Sequence, residues 1–292
     1  MIKEYTNKFG RLSVVEKMIV VNVFVFLVYF LIKTFAFLYK LPENQLLEWL
    51  AFTNNWKELL YKPWTVITYT FLHDGFIHLL FNMVLLYFSG QFFITYFTGK
   101  QFLNFYFLGA IAGAIMYMVS FAVFPVFSGI ERPMVGASAA VMAILVGIAT
   151  HIPYMGVRLF LFGTVKLWHI ALFFVVLDLV LIPAGNAGGR FAHLGGALLG
   201  FVYAKQLAKG NDIGKWWENI MDWVTGLFSL KKQKPLKTVY KRKNPETKIK
   251  PTDNKSEKQQ KIDKILDKIS KSGYNSLTKE EKEFLFKAGR EE

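Results

Sequence analysis

The sequence predicts an all-α polytopic membrane protein: six transmembrane helices, then a basic cytoplasmic tail ending in a small helical hairpin. Three observations predict it. The 292 residues are 53% hydrophobic with 29 Phe and a positive mean hydropathy, which is unlike a soluble domain. Apolar runs recur at 18–39, 76–98, 101–124, 139–150, 159–182 and 191–208, most of them near the roughly 20 residues that cross hydrocarbon. The charge is segregated, because +9 of the net +14 falls from Lys205 onward, where there are 22 Lys/Arg and 13 Asp/Glu. Basic charge flanking apolar spans is what membrane orientation requires, so it does not argue for nucleic acid. The chain has no cysteine, which excludes a disulfide framework, a thiol nucleophile and a thiolate metal site.

The N-terminal segment 1–17 carries Lys3, Lys8, Arg11 and Lys17. The first run then ends in Leu38-Tyr39-Lys40 rather than a small-residue cleavage site, so it reads as a retained helix and not a signal peptide. Both termini are basic, which places both in the cytoplasm and demands an even number of crossings. The expected setting is a multi-pass protein of the bacterial inner membrane. Residues 40–63, with Trp49, Trp56, Leu46, Leu47, Leu59 and Leu60 among charged residues, suit an interfacial amphipathic loop. The fourth run is about 7 residues too short to span, so its N-terminus at Ser138 should begin inside the membrane. Residues 125–136 before it hold Pro125, Gly129, Pro133 and Gly136 and cannot be helical throughout. Non-helical backbone at that depth survives where protein covers it or water reaches it, so a water-filled cavity is expected around Ser138. After the six-helix region 18–208, residues 209–230 read as an interfacial amphipathic helix, 231–258 as a basic disordered linker that attracts anionic lipid headgroups, and 259–292 as a helical hairpin. In the hairpin, Ile262, Ile265, Leu266 and Ile269 form one stripe stopped at Gly273, and Thr278 with Glu281 forms a capping box.

Among the polar residues that interrupt the apolar runs, five carry candidate chemistry: His78 and Asn82 on the second helix, Ser138 opening the fourth, Asp178 on the fifth and His193 on the sixth. Polar groups at membrane depth are costly and mark function by default. Helices two, four and six all run from outside inward, so His78, Asn82, Ser138 and His193 share one depth near the outer face. A serine becomes a nucleophile when an imidazole takes its proton, and a helix N-terminus offers free N–H groups to a developing oxyanion. Gly136 precedes Ser138, and Gly196 and Gly200 follow His193 with one helical turn between them, so small residues permit close helix packing. If the helix they face is the fourth, Ser138 and His193 meet. Singly, Ser138 also reads as a helix cap and His193 as a satisfied core histidine; matched depth on a short helix is what favours chemistry. His151 and His169 fall near the cytoplasmic ends, and His73 falls in the mouth of a loop; none is assigned a role.

His78-Leu79-Leu80-Phe81-Asn82, Gly136-Ala137-Ser138 and Ala192-His193 with Gly196 and Gly200 resemble, as a set and in order, the three signatures of rhomboid intramembrane serine proteases, over about residues 15–208. The resemblance implies a six-helix rhomboid-like bundle and a catalytic Ser138–His193 dyad. It implies an oxyanion site of His78, Asn82 and the Ser138 backbone N–H, with no cofactor and no metal. The partner it implies is a transmembrane segment of another protein, entering between helices two and five and cut near its outer end after a small residue. The chain departs from the family pattern at Ala139, commonly glycine, at Trp64-Thr65, often Trp-Arg, and at Thr95, commonly glutamate. Met142 stands where many members carry a tyrosine that stacks on the catalytic histidine. Asp178 reads as a carboxylate bonded to a neighbouring helix rather than a third catalytic member, because the family works as a dyad. Two other classes remain open, an inactive rhomboid-like protein that binds transmembrane clients and a proton- or ion-coupled transporter, although no internal repeat supports the latter. A metalloprotease is disfavoured because no His-Glu-x-x-His occurs. The oligomeric state is open.

Overall fold

The computed structural model describes residues 9–42, 45–159, 163–228 and 257–289. They fall into two compact units, Met1–Leu230 and Lys231–Glu292. The expected linker lies outside the described residues except for its last two positions.

Six principal helices build the first unit: α1 (Val14–Leu38), α2 (Phe76–Tyr96), α3 (Gly99–Val123), α4 (Ser138–His151), α5 (Leu167–Val180) and α6 (Ala187–Ala208). Local chemistry starts two of them. Ser13 and Glu16 form a reciprocal capping box ahead of α1, and Thr98 and Gln101 form one ahead of α3, satisfying backbone N–H groups that the helix leaves free. Among the described residues α1, α2 and α3 are long and apolar enough to cross a membrane, whereas α4 and α5 are shorter apolar helices of 14 residues each.

Helix α4 is the centre of the packing. Seven consecutive residues, Ala139 to Leu145, are at most 3% exposed, so the helix is surrounded rather than half-buried. It packs against α2, α3, α5 and α6. On α3, a Cβ added at Gly109 or Gly113 would strike the Ala143 or Ala139 side chain; on α6, one added at Gly196 or Gly200 would strike the Ala139 or Ala143 carbonyl oxygen. Small residues facing small residues let three backbones approach closely, the usual basis of helix association in lipid.

Three features differ from the sequence expectation. The fifth helix begins at Leu167, not near 159, because Gly156–Leu159 (β3) and Gly163–Lys166 (β4) pair as an antiparallel hairpin. β-branched Val157, Thr164 and Val165 suit the strands, and Gly163 holds a φ of +68°, which glycine adopts without a steric cost. The architecture is therefore not purely helical. A second short pair, β1 (Phe52–Thr53) with β2 (Pro133–Met134), ties the first loop to the segment ahead of α4. That first loop also forms the short helices Gln45–Leu50 and Trp56–Tyr61 and is pinned to itself. The Trp64 and Trp49 rings stack at 6.0 Å, Trp64 Nε1 donates to the Trp49 carbonyl at 2.8 Å, and Thr68 Oγ1 donates to the Leu50 carbonyl at 2.7 Å.

After α6, helix α7 (Lys215–Phe228) folds back on α3. Glu218 accepts from Asn104 Nδ2 at 3.0 Å, Lys100 pairs with Asp222 at 2.8 Å, and Trp217 meets the Phe107 ring, while Trp216, Ile220 and Trp223 remain exposed. In the second unit, α8 (Glu257–Ser272) ends at Gly273, with φ +78°, and α9 (Lys279–Ala288) is capped by Thr278 and Glu281. Ile265 and Leu277 are buried, and Lys268 bonds Glu281 at 2.8 Å, holding its carboxyl below the usual range.

Candidate active site

The backbone delivers Ser138 through a glycine. Gly136 has φ +122° and donates its N–H to the Tyr69 carbonyl at 3.0 Å. A Cβ there would lie 2.8 Å from His78 Nε2 and 3.6 Å from Ser138 Oγ, so any larger residue would press on the imidazole and crowd the hydroxyl. Ser138 is the first residue of α4, and no side chain caps that helix; its first-turn N–H groups lack an intrahelical acceptor. The Tyr69 hydroxyl donates to the Ala110 carbonyl at 2.8 Å, and burial raises its pKa well above the usual range, so it stays a neutral donor locking the loop to α3.

His78 and Asn82 lie in the first two turns of α2. His78 Nδ1 is 2.5 Å from Asp74 Oδ1, and Asn82 Nδ2 donates to the His78 carbonyl at 2.9 Å. His193 lies in the second turn of α6, with Nδ1 3.0 and 3.1 Å from the two Asp178 oxygens. Arg190 Nη1 approaches the same carboxylate at 3.4 Å and Arg190 Nε donates to the Gly185 carbonyl at 3.1 Å. Ser138, His193, His78, Asn82 and Gly136 all line one cavity of about 1200 Å³, whose walls include Phe81 and Phe88 of α2 and Phe174 and Leu177 of α5. The close approach of Gly196 to Ala139 explains how α6 reaches this cavity beside Ser138. No hydrogen bond joins Ser138 to His193 among the described residues.

His73 is 1% exposed, not at an open loop mouth. Its ring packs edge-on against His78 at 5.1 Å, and desolvation, then the nearby His78, push its pKa down to about 4. One partner is not anticipated from the sequence, and another is set aside there. Asp74 stands four residues before His78, a spacing that could have suggested the pair. Asp178 does bond a neighbouring helix, but its partner there is His193. Among the described residues no three His, Asp or Glu side chains gather where they could hold a metal ion.

The Rhomboid domain model matches residues 61–210, about half of the chain, and spans every residue just described. The chain belongs to the rhomboid family. Among its relatives, "RHOMBOID-like protein 12, mitochondrial" of Arabidopsis thaliana is 31% identical over 158 residues, covering 50% of this chain and 47% of the relative. "Presenilin-associated rhomboid-like protein A, mitochondrial" of Danio rerio is 31% identical over 152 residues, covering 46% of this chain and 35% of the relative. The match thus takes in less than half of either relative. A second model, Family of unknown function (DUF6576), matches residues 252–287, the region of α8 and α9. Within the rhomboid frame, Thr65 in place of arginine leaves the first loop held by Trp64, Trp49 and Thr68, and buried Met142 lines the cavity without a stacking ring.

Proposed function

We propose that this rhomboid-family chain is an intramembrane serine endopeptidase that cuts transmembrane segments of other membrane proteins near their outer ends. The observation that carries the reading is the cavity shared by a serine at an uncapped helix N-terminus and an imidazole from the adjoining helix. His193 Nδ1 is occupied by Asp178, which leaves Nε2 to take the Ser138 hydroxyl proton as Oγ attacks the scissile carbonyl. Negative charge builds on the carbonyl oxygen, where the Ser138 N–H and Asn82 donate, and where His78, its Nδ1 held by Asp74, donates from Nε2 as the imidazolium. His193 then returns its proton to the departing amine, and water repeats the sequence on the acyl-enzyme. The apolar walls supplied by α2 and α5 suit a helix that enters from lipid between them and unwinds on reaching the polar floor. In this reading all six helices cross the membrane, both termini are cytoplasmic under the positive-inside rule, and the basic tail meets anionic lipid.

The missing hydrogen bond between Ser138 and His193 favours one competing reading, an inactive rhomboid-like protein that binds transmembrane clients. Catalytic hydrogen bonds are often long in unliganded enzymes, so reactivity is the deciding measurement. A fluorophosphonate probe should label Ser138 in detergent-solubilised protein, and labelling should vanish in both Ser138→Ala and His193→Ala, because a membrane serine without its base is unreactive. Persistent labelling of His193→Ala would remove the dyad; absence of labelling in the native chain would favour the client-binding reading.

A further inference from the structure

We infer that Asp178 is a positioning residue for His193, so that this chain orients its base through a carboxylate where many family members stack a tyrosine; the inference rests on the proteolytic reading above. Both Asp178 oxygens lie within 3.1 Å of His193 Nδ1. The carboxylate side chain is only 10% exposed, and Arg190 holds it from a second direction at 3.4 Å. Met142, one turn after Ser138, is an aliphatic neighbour that cannot stack or accept a hydrogen bond of any strength. Nothing else bonded to the ring fixes its tautomer among the described residues.

The consequence is chemical. A carboxylate accepts and does not donate, so it selects the imidazole tautomer with hydrogen on Nδ1 and the lone pair on Nε2. It also stabilises the imidazolium formed when Ser138 gives up its proton, without itself taking that proton. Arg190, tied at once to the carboxylate and to the Gly185 carbonyl, holds the α5–α6 connection so that Asp178 stays against Nδ1. The charged and titratable groups sharing the cavity wall with His193 are Asp178 on α5, Arg190 on α6, Tyr69, Asp74 and His78 before and at the start of α2, Tyr117 on α3, and Arg132 ahead of α4. Of these, Asp178 is the one hydrogen-bonded to the His193 ring among the described residues.

The test compares the full-length native chain with Asp178→Asn, Asp178→Glu and Arg190→Gln in detergent, reading fluorophosphonate inactivation rate against pH and kcat and KM on one transmembrane substrate. Asp178→Asn is isosteric but can offer Nδ1 a donor, favouring the wrong tautomer. It should lower kcat and the inactivation rate by about 10²–10⁴, with KM within about twofold, and move the acid limb of the profile to lower pH as the imidazolium loses its counter-charge. Asp178→Glu should recover part of the rate, and Arg190→Gln should cost less than Asp178→Asn. If Asp178 only braces the α5–α6 connection, Arg190→Gln will match Asp178→Asn and the acid limb will stay in place; that result, or full activity in Asp178→Asn, overturns the inference while leaving the Ser138–His193 reading intact. A native chain that the probe does not label removes both.

Discussion

His78 and Asn82 share one face of α2 and open onto the cavity that holds Ser138, and their expected work is confined to the oxyanion. Loss of one such donor typically costs about 10²–10³ in rate. Asn82→Ala should therefore lower turnover by that order yet keep probe labelling of Ser138, since His193 still activates the hydroxyl, and EDTA should leave activity unchanged. Inhibition by chelator that added zinc reverses would instead make His73, His78 and His193 metal ligands. His73 carries a different prediction. Its folded-state pKa of about 4 lies below the ordinary 6.5, so above pH 6.5 neither state is protonated and the residue adds no pH dependence. As pH falls from 6.5 towards 4 the unfolded chain binds a proton that the fold refuses, and stability drops by an amount on the order of 3 kcal/mol. Thermal melts of His73→Phe should show a shallower loss of Tm across that interval; an unchanged slope would place the pH sensitivity elsewhere.

Helices α3, α4 and α6 depend on absent side chains rather than on present ones. Gly196 and Gly200 face carbonyl oxygens of α4, while Gly226 on α7 has nothing within 4 Å of an added Cβ. Gly196→Val should force α6 off α4, costing about 1–3 kcal/mol of stability and, by moving His193 away from Ser138, most of the activity. Gly226→Ala should be neutral or stabilise slightly, since alanine is the better helix former. Melting temperature and turnover measured on the pair give the comparison, and equal behaviour of the two variants would mean that helix contact does not set the site. The spacing of Gly196 and Gly200 was legible in the sequence as a close-packing stripe; its partner, the fourth helix, was stated only as a condition, and packing supplied it. The fifth helix was misplaced at its start because hydropathy over 159–166 is the same whether Val and Leu form a helix or a hairpin, and only the pairing of Gly156–Leu159 with Gly163–Lys166 distinguishes them.

At the scale of the molecule, the chain separates into Met1–Leu230 and Lys231–Glu292, and every cavity-lining residue belongs to the first unit. Truncation after Leu230 should therefore leave helices α1 to α6 folded and a generic transmembrane substrate still cut in detergent. A truncated protein that melts normally but cuts nothing would make the region matched by DUF6576 part of the catalytic unit.

Read alone, the sequence determined the apolar helices, the shortness of the one that begins at Ser138, and the matched positions of His78, Asn82, Ser138 and His193. These are legible because hydrocarbon thickness sets helix length and because polar residues are rare enough in apolar runs for each to stand out. Tertiary structure decided what each group touches: Asp178 on His193, Asp74 on His78, β1 on β2, and the α6 glycines on the α4 carbonyls. Local periodicity says which face of a helix is polar, but a hydrogen-bond partner 15 residues away is chosen only when the two helices are brought side by side.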